Sequence, residues 1–216
     1  MIDSTSFTEA GGHPDNEDAF VVCRHPSGSD CWLCVLGDGQ GGRAGGADAS
    51  RLACRIAAEA ALNEAARRLT IAATWGTILQ KADRVVLADP EAGFTTLLGF
   101  FIADRCLAGA SSGDSAVFAL SKGEPGRELT EWQIKNPPVG SGEAKFVPFS
   151  AALNTPWAVL AMSDGVWRYV GWERLVQAAS QDHGEGLVET LKGLARLPRS
   201  GQFQDDFTIV VFEEGR

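Results

Sequence analysis

The chain has 216 residues, of which 44% are hydrophobic and 22% charged, and these proportions are ordinary for a folded globular protein. The formal net charge of -9 argues against a nucleic acid or an anionic membrane surface as the main partner, because both bind Lys and Arg patches. The five cysteines, an odd number, are typical of reduced thiols rather than of a disulfide framework.

The first residues, from Met1 to Ser6, have neither the basic region nor the apolar stretch of a signal peptide. The most apolar window, residues 97–103, is far shorter than the roughly 20 residues needed to cross a bilayer. We therefore expect a cytoplasmic protein.

Apolar runs bounded by turn residues predict seven strands. In chain order these lie near residues 19–24, 31–37, 94–103, 107–111, 116–120, 157–162 and 207–212. The second run contains Cys31 and Cys34 in a C-x-x-C pattern, but no second pair accompanies them. Packing in a buried strand is therefore favoured over metal or redox chemistry.

Helical patterns stand between these strands. The segment 47–69 places Leu52 and Ile56 on one face, and the segment 74–87 has a longer apolar stripe that includes Trp75 and Leu79. A third helical region covers 172–179 and 187–197 and ends at Pro198. Strands grouped at the beginning, middle and end, with helices inserted in pairs, predict an α+β fold.

Residues 122–150 are rich in Gly and Pro, and the composition predicts an irregular surface excursion rather than a domain boundary.

Short acidic motifs recur at the ends of the apolar runs. They are Asn16-Glu17-Asp18, Gly37-Asp38-Gly39, Ser112-Gly113-Asp114-Ser115, Ser163-Asp164-Gly165 and Gln204-Asp205-Asp206. A single such motif is usually a turn or a helix cap, but five of them can converge on one rim of a sheet. Clustered carboxylates repel by about 4 kcal/mol per pair at 4 Å and an effective dielectric near 20, so they need a counter-charge. The motifs themselves contain few basic residues, and Mg²⁺ or Mn²⁺ would neutralise such a rim.

An alternative arises from the glycines at 37, 39 and 42. They satisfy G-x-G-x-x-G between a strand and a helix, with Glu59 at a suitable distance, which is the fingerprint of a dinucleotide site. Against this alternative, Asp38 within the loop would repel a pyrophosphate, and no series of βαβ units follows.

Taken together and in order, the motifs resemble those of the PPM (2C-type) metal-dependent protein serine/threonine phosphatases. The resemblance rests on Asn16-Glu17-Asp18, Asp38-Gly39-x-Gly41-Gly42, Gly113-Asp114-Ser115, Ser163-Asp164-Gly165 and Asp205-Asp206-x-Thr208. It spans residues 11–212 and implies a four-layer αββα sandwich of two mainly antiparallel sheets flanked by helices. Residues 1–216 would form a single domain with a shortened flap at about 122–150.

The resemblance also implies a set of two, possibly three, Mn²⁺ or Mg²⁺ ions. Asp38 would bridge two of them, with Glu17 and the Gly39 carbonyl on one and with Asp164 and Asp205 on the other. Asp38, Asp164 and Asp205 would thus be the catalytic residues, and a water held between the ions would attack the phosphorus without any protein nucleophile.

Two further carboxylates are implied. Asp18 would support the ligands or join them, and Asp114 would share a third, weaker metal site with Asp164. The implied substrate is a phosphorylated protein, and the implied partner is the serine/threonine kinase that the phosphatase opposes.

The chain departs from the family where the phosphate is held. His13 stands where many members have a phosphate-binding Arg, Ala116 replaces a second common Arg, and Gln40 follows Asp38-Gly39. We predict that His13 and Arg43 bind the phosphate. Two rival functions remain open, a pseudophosphatase that binds a phosphoprotein without turnover and a nucleotide-binding oxidoreductase.

Overall fold

A computed structural model of the chain describes residues 1–12, 15–28, 30–41 and 45–215. Its strands are β1 (Asp3–Glu9), β2 (Asp18–Arg24), β3 (Trp32–Asp38), β4 (Leu97–Ala103), β5 (Cys106–Ser112), β6 (Ala116–Ser121), β7 (Arg127–Glu128), β8 (Val147–Ala152), β9 (Trp157–Met162) and β10 (Phe207–Glu214). Its helices are α1 (Gly46–Leu62), α2 (Ala66–Leu69), α3 (Ala72–Ala88), α4 (Asp164–Val170), α5 (Trp172–Gln181) and α6 (Gly184–Ala195).

The strands form two five-stranded sheets in which every neighbouring pair is antiparallel. The first sheet has the order β2-β3-β4-β5-β8, and the second has the order β1-β10-β9-β6-β7. Because successive side chains of a strand point to opposite faces, the central strands, which are buried on both faces, are apolar along their whole length.

Three apolar layers separate four layers of secondary structure. One lies between the first sheet and α1 and α3, and contains Leu33 and Trp75. A second lies between the two sheets and contains Phe100 and Phe212, and the third joins the second sheet to α4, α5 and α6. The predicted αββα sandwich is therefore confirmed.

All seven predicted strands are present, with ends shifted by up to three residues. The sequence missed β1 because it is polar at all but one position and pairs only with β10, at the edge of the second sheet. It also missed the seven-residue helix α4, which is too short to show a periodic stripe.

The helix predicted at 47–69 was wrong in its length. It ends at Leu62, and α2 begins separately at Ala66. The buried face of α1 consists of small residues such as Ala49, Ala53 and Ala57, whereas Leu52 and Ile56 lie only half-buried at its flank.

The expectation of a surface excursion at 122–150 was also partly wrong. Most of the segment is irregular, but Val139 and Ala144 are buried in the layer beneath α3, and β8 begins at Val147. The segment therefore contributes to the core as well as to the surface.

The dinucleotide-binding alternative was wrong in its fold. The strand that leads into the glycine run, β3, pairs antiparallel with both β2 and β4, whereas a dinucleotide-binding unit requires parallel strands. Within the described ranges, no helix is long and apolar enough to cross a membrane.

Candidate active site

The first sheet brings two acidic motifs to one edge. Asp18 opens β2 and Asp38 closes β3, and because these strands are antiparallel the two residues are direct partners in the ladder. Glu17 precedes Asp18, and its carbonyl accepts the N–H of Gly39 at 3.0 Å. The first two motifs thus meet as the sequence predicted.

The backbone around Asp38 is held by two threonines. The Thr96 N–H donates to the Asp38 carbonyl at 2.8 Å, and the Asp38 N–H donates to Thr96 Oγ1 at 2.9 Å. Thr95 Oγ1 donates to the same carbonyl at 2.9 Å. At Gly39 a side chain has no room, since an added Cβ would lie 2.5 Å from the Gly46 carbonyl and 2.7 Å from that of Glu17.

The second sheet supplies Asp164 and Asp205 at the same edge. Asp164 begins α4 directly after β9, and Asp205 lies just before β10, the antiparallel neighbour of β9. Asp206 joins the two sheets, because its carboxylate accepts the N–H of Gly11 at 2.8 Å and that of Glu17 at 2.6 Å.

These residues line a cleft of about 230 Å³. Its predicted members are Glu17, Asp38, Gly39, Asp114, Asp164 and Asp205, and Thr95, Thr96, Lys135 and Asp206 also face it. Asp18 is buried behind Asp38 and is in electrostatic contact with it.

Burial and mutual repulsion make ionisation of this cluster costly. Burial raises the pKa of Asp38 well above its usual value, and the charges of Asp18 and Asp164 raise it further. Burial likewise raises the pKa of Asp18 to about 7 and that of Asp164 to about 6, where Asp114 adds repulsion and Arg168 partly offsets it.

The surroundings of Asp18 are unusual for a carboxylate. Only 7% of its surface is exposed, and neither carboxylate oxygen has a hydrogen-bond partner among the described residues. The hydroxyls of Thr208 and Ser163 lie close enough to lower its pKa somewhat, but neither meets hydrogen-bond geometry. Buried polar atoms are nearly always paired, so the chemistry of this carboxylate fits a position beside a bound cation.

The donor chemistry around Asp38 fits hard divalent cations. Glu17, Asp38, Asp164 and Asp205 offer only carboxylate oxygens, which are the ligands that Mg²⁺ and Mn²⁺ prefer. Within the described part of the chain, no three His, Cys, Asp or Glu side chains are already arranged around one point as an ion would require. Bound ions would therefore have to draw the carboxylates closer together.

Two basic residues from outside the acidic motifs lie at the rim. They are Arg168 and Lys135, and both contact Asp114. Arg168 could have been found from its spacing, because it lies one helical turn after Asp164, whereas Lys135 sits in the irregular segment and left no signal. Asp206 belongs to one of the predicted motifs, but the sequence analysis assigned it no role.

The two predicted phosphate-binding residues, His13 and Arg43, lie outside the described residues. Two of the three serines in the motifs, Ser115 and Ser163, make hydrogen bonds that hold the backbone or a neighbouring side chain. Ser115 Oγ shares a 2.7 Å hydrogen bond with Thr96 Oγ1, and Ser163 Oγ accepts the N–H of Thr208 at 3.1 Å. Neither arrangement is that of a nucleophile beside a general base.

Comparisons with known proteins identify the family and the fold. The sequence profile of the family Protein phosphatase 2C matches residues 10–136. In fold, the chain is similar to the catalytic domain of the serine threonine protein phosphatase PstP in complex with two manganese ions, with 22% identity, a TM-score of 0.78 and coverage of 98% of this chain and 97% of that chain.

Two other solved structures are similar in fold. Stp1 from Staphylococcus aureus, a serine/threonine phosphatase, has 18% identity and a TM-score of 0.78, and the match covers 99% of this chain and 95% of that chain. RsbX in complex with magnesium has 13% identity and a TM-score of 0.74, with coverage of 98% and 94%. No curated protein sequence shows significant similarity to the chain. The profile covers more than half of the sequence, and the chain therefore belongs to the protein phosphatase 2C family.

Proposed function

We propose that this protein is a phosphatase that removes phosphate from phosphoserine and phosphothreonine in proteins, using Mn²⁺ or Mg²⁺ held at the acidic edge of the two sheets. The observation that carries the proposal is the convergence of Glu17, Asp38, Asp164 and Asp205 on one cleft. Such a concentration of carboxylates, with raised pKa values at its centre, is typical of a functional site.

Each side chain has a role in this proposal. Glu17 and the Gly39 carbonyl would hold one ion together with Asp38, and Asp164 and Asp205 would hold the other. Asp18 would support Asp38 from behind, and Asp206 fixes the backbone of Glu17. When bound, such ions acidify water and neutralise charge on a phosphoryl group.

The family and the hydrogen-bonded serines favour hydrolysis by water over a covalent intermediate on the protein. The same family membership makes a phosphoprotein the expected substrate, and a serine/threonine kinase in the cytoplasm would be the opposing enzyme. His13 and Arg43 remain predictions for the phosphate clamp.

Activity is tested with purified protein freed of metal by EDTA. We expect hydrolysis of p-nitrophenyl phosphate and of a phosphothreonine peptide on addition of Mn²⁺, and no hydrolysis without it. Asp3→Ala is the matched control, because Asp3 is exposed at the end of β1 far from the cleft. Binding of the phosphopeptide without turnover in the presence of Mn²⁺ would instead favour the pseudophosphatase.

The clamp is tested by steady-state kinetics of His13→Arg. A guanidinium matches phosphate oxygens in a bidentate way that an imidazole cannot, so KM for p-nitrophenyl phosphate should fall with a smaller change in kcat. An unchanged KM in both His13→Arg and His13→Ala would point to Arg43 as the next residue to change.

A further inference from the structure

The carboxylates expected to hold a third ion are already paired with side-chain cations. Arg168 Nη1 lies 2.6 Å from Asp164 Oδ2, and Arg168 Nη2 lies 2.9 Å from Asp114 Oδ2. Lys135 Nζ contacts the same oxygen of Asp114. A single guanidinium therefore spans the gap between the two carboxylates, where the third ion would have to bind.

The fold holds Arg168 in this position. Helix α4 places it one turn after Asp164, on the same face of the helix. The neighbouring Trp167 donates its Nε1–H to the Asp114 carbonyl at 2.9 Å, which joins α4 to the turn between β5 and β6. The guanidinium of Arg168 also lies over the Trp167 ring, 5.4 Å from its centre.

Hydrogen bonds of the two preceding residues fix the backbone that carries Lys135. The residue before it, Ile134, accepts two hydrogen bonds through its carbonyl, from the Gly113 N–H and from Ser112 Oγ, both at 3.1 Å. Gln133 Nε2 donates to the Ser115 carbonyl at 2.8 Å. The chain that carries Lys135 is thus attached to the same β5–β6 turn that presents Asp114.

The charges decide which cation fits. Asp114 and Asp164 carry two negative charges at neutral pH when ionised, and Arg168 and Lys135 supply two positive ones within hydrogen-bond distance. A divalent ion placed between these carboxylates would meet two fixed cations and would have to displace their hydrogen bonds. A third metal ion between Asp114 and Asp164 therefore does not fit the residues present.

We propose that Arg168, supported by Lys135, takes the place of a third metal ion between Asp114 and Asp164, so that this protein binds two ions rather than three. The proposal rests on the proposed function, because it presupposes the two ions around Asp38. Unlike a metal ion, the guanidinium of Arg168 is part of the chain and cannot dissociate from the site.

The test counts Mn²⁺ ions by isothermal titration calorimetry and by equilibrium dialysis, without reference to activity. We expect two ions in the parent protein. In Arg168→Asp the cation is replaced by a third carboxylate beside Asp114 and Asp164, and we expect a third, weaker site to appear. Arg168→Gln removes the charge while keeping much of the side chain, and should show partial third-site binding even if the Asp variant folds poorly.

Arg67→Asp is the charge-matched control. Arg67 is exposed on α2, which follows α1, and the 17 residues of α1 run about 25 Å away from the cleft at 1.5 Å per residue. This variant makes the same change in net charge without touching the Asp114–Asp164 pair, and its stoichiometry should remain at two.

The outcomes separate the two proposals. Three ions in the parent protein, or two in both Arg168 variants, would overturn the role of Arg168 while leaving the phosphatase proposal intact. No saturable Mn²⁺ binding in the parent protein would overturn both. Binding of two ions that rises to three only in the Arg168 variants supports the proposal.

Discussion

Asp18 and Asp83 are both buried aspartates, but their carboxylates differ in hydrogen bonding. Asp83 lies on α3 with no exposed surface, and its carboxylate accepts the N–H groups of Gly140 and Gly142 at 2.7 and 3.1 Å and of Ala144 at 3.2 Å. Asp18 is almost as buried, but both of its oxygens lack a partner among the described residues. A saturated carboxylate stabilises the fold, whereas an unsaturated one costs stability until a cation or water supplies what is missing.

The consequence is a division between a structural and a functional part of the molecule. Asp83 attaches the irregular segment 122–150 to α3, because the turn at Gly140 and Gly142, both with positive φ, presents its N–H groups to the carboxylate. The edge around Asp18 and Asp38 instead holds several carboxylates under repulsion. Substitutions at Asp38, Asp83 and Asp18 test this contrast.

The largest effect is expected at the functional edge. Asp38→Ala removes the proposed bridge between the ions, and kcat/KM for a phosphothreonine peptide should fall more than about 1,000-fold, or about 4 kcal/mol in transition-state stabilisation. The folded protein should remain, since the change removes a group whose ionisation opposes folding. Full activity in Asp38→Ala, measured against Asp3→Ala, would contradict the assignment of the site.

A smaller effect, on stability alone, is expected at Asp83. Asp83→Ala leaves three backbone N–H groups without their acceptor, and the free energy of unfolding should fall by about 3 kcal/mol. Urea unfolding with EDTA and with Mn²⁺ should give the same loss. In Asp83→Asn one oxygen remains as an acceptor, so the loss should be smaller. A loss that depends on Mn²⁺ would mean that the two regions are not separate.

The smallest effect is expected at Asp18, where the substitution should raise the free energy of unfolding of the metal-free protein. Its pKa rises from 3.8 unfolded to about 7 folded, so folding takes up a proton between these values and the metal-free protein should lose stability as the pH rises from 4 to 7. Asp18→Asn removes that loss and should stabilise the metal-free protein at pH 8 by about 1 kcal/mol or more. At pH 4, close to the unfolded pKa, the variant and the parent should unfold at nearly the same urea concentration.

The same Asp18→Asn variant should bind Mn²⁺ more weakly, because the amide cannot supply the negative charge behind Asp38. Stabilisation without metal together with weaker metal binding is the expected signature. If Asp18→Asn destabilises the metal-free protein at pH 8, the carboxylate has a structural partner and resembles Asp83 after all.

The sequence predicted the acidic edge well, because each motif sits at the end of an apolar run and adjacent antiparallel strands bring such ends together. Asp18 and Asp38 illustrate this, since they lie at adjacent ends of two strands that are consecutive in the chain and pair antiparallel. The order of the motifs indicated the family, and the family implied the αββα arrangement. Patterning alone indicated no more than an α+β fold.

What the sequence left out depends on long-range contacts. The partners of Asp83 lie about sixty residues further along the chain, although its position on the buried face of α3, next to Ala82 and Val86, was a visible sign of an unusual aspartate. Lys135 reaches Asp114 from an irregular segment whose path no periodicity records. The spacing of Arg168 after Asp164 was visible, but the seven residues of α4 show no periodic stripe that would have marked the helix.

The most direct test of the account is the melting of the metal-free protein at pH 8 with and without Mn²⁺. Ions that bind only the folded state at a hundredfold excess over Kd should add about 2.7 kcal/mol to the free energy of unfolding. We predict a higher melting temperature with Mn²⁺ in the parent protein and in Asp83→Asn, and little change in Asp38→Ala. A melting temperature of the parent protein that does not move in excess Mn²⁺ would contradict the claim that the acidic edge is a metal centre.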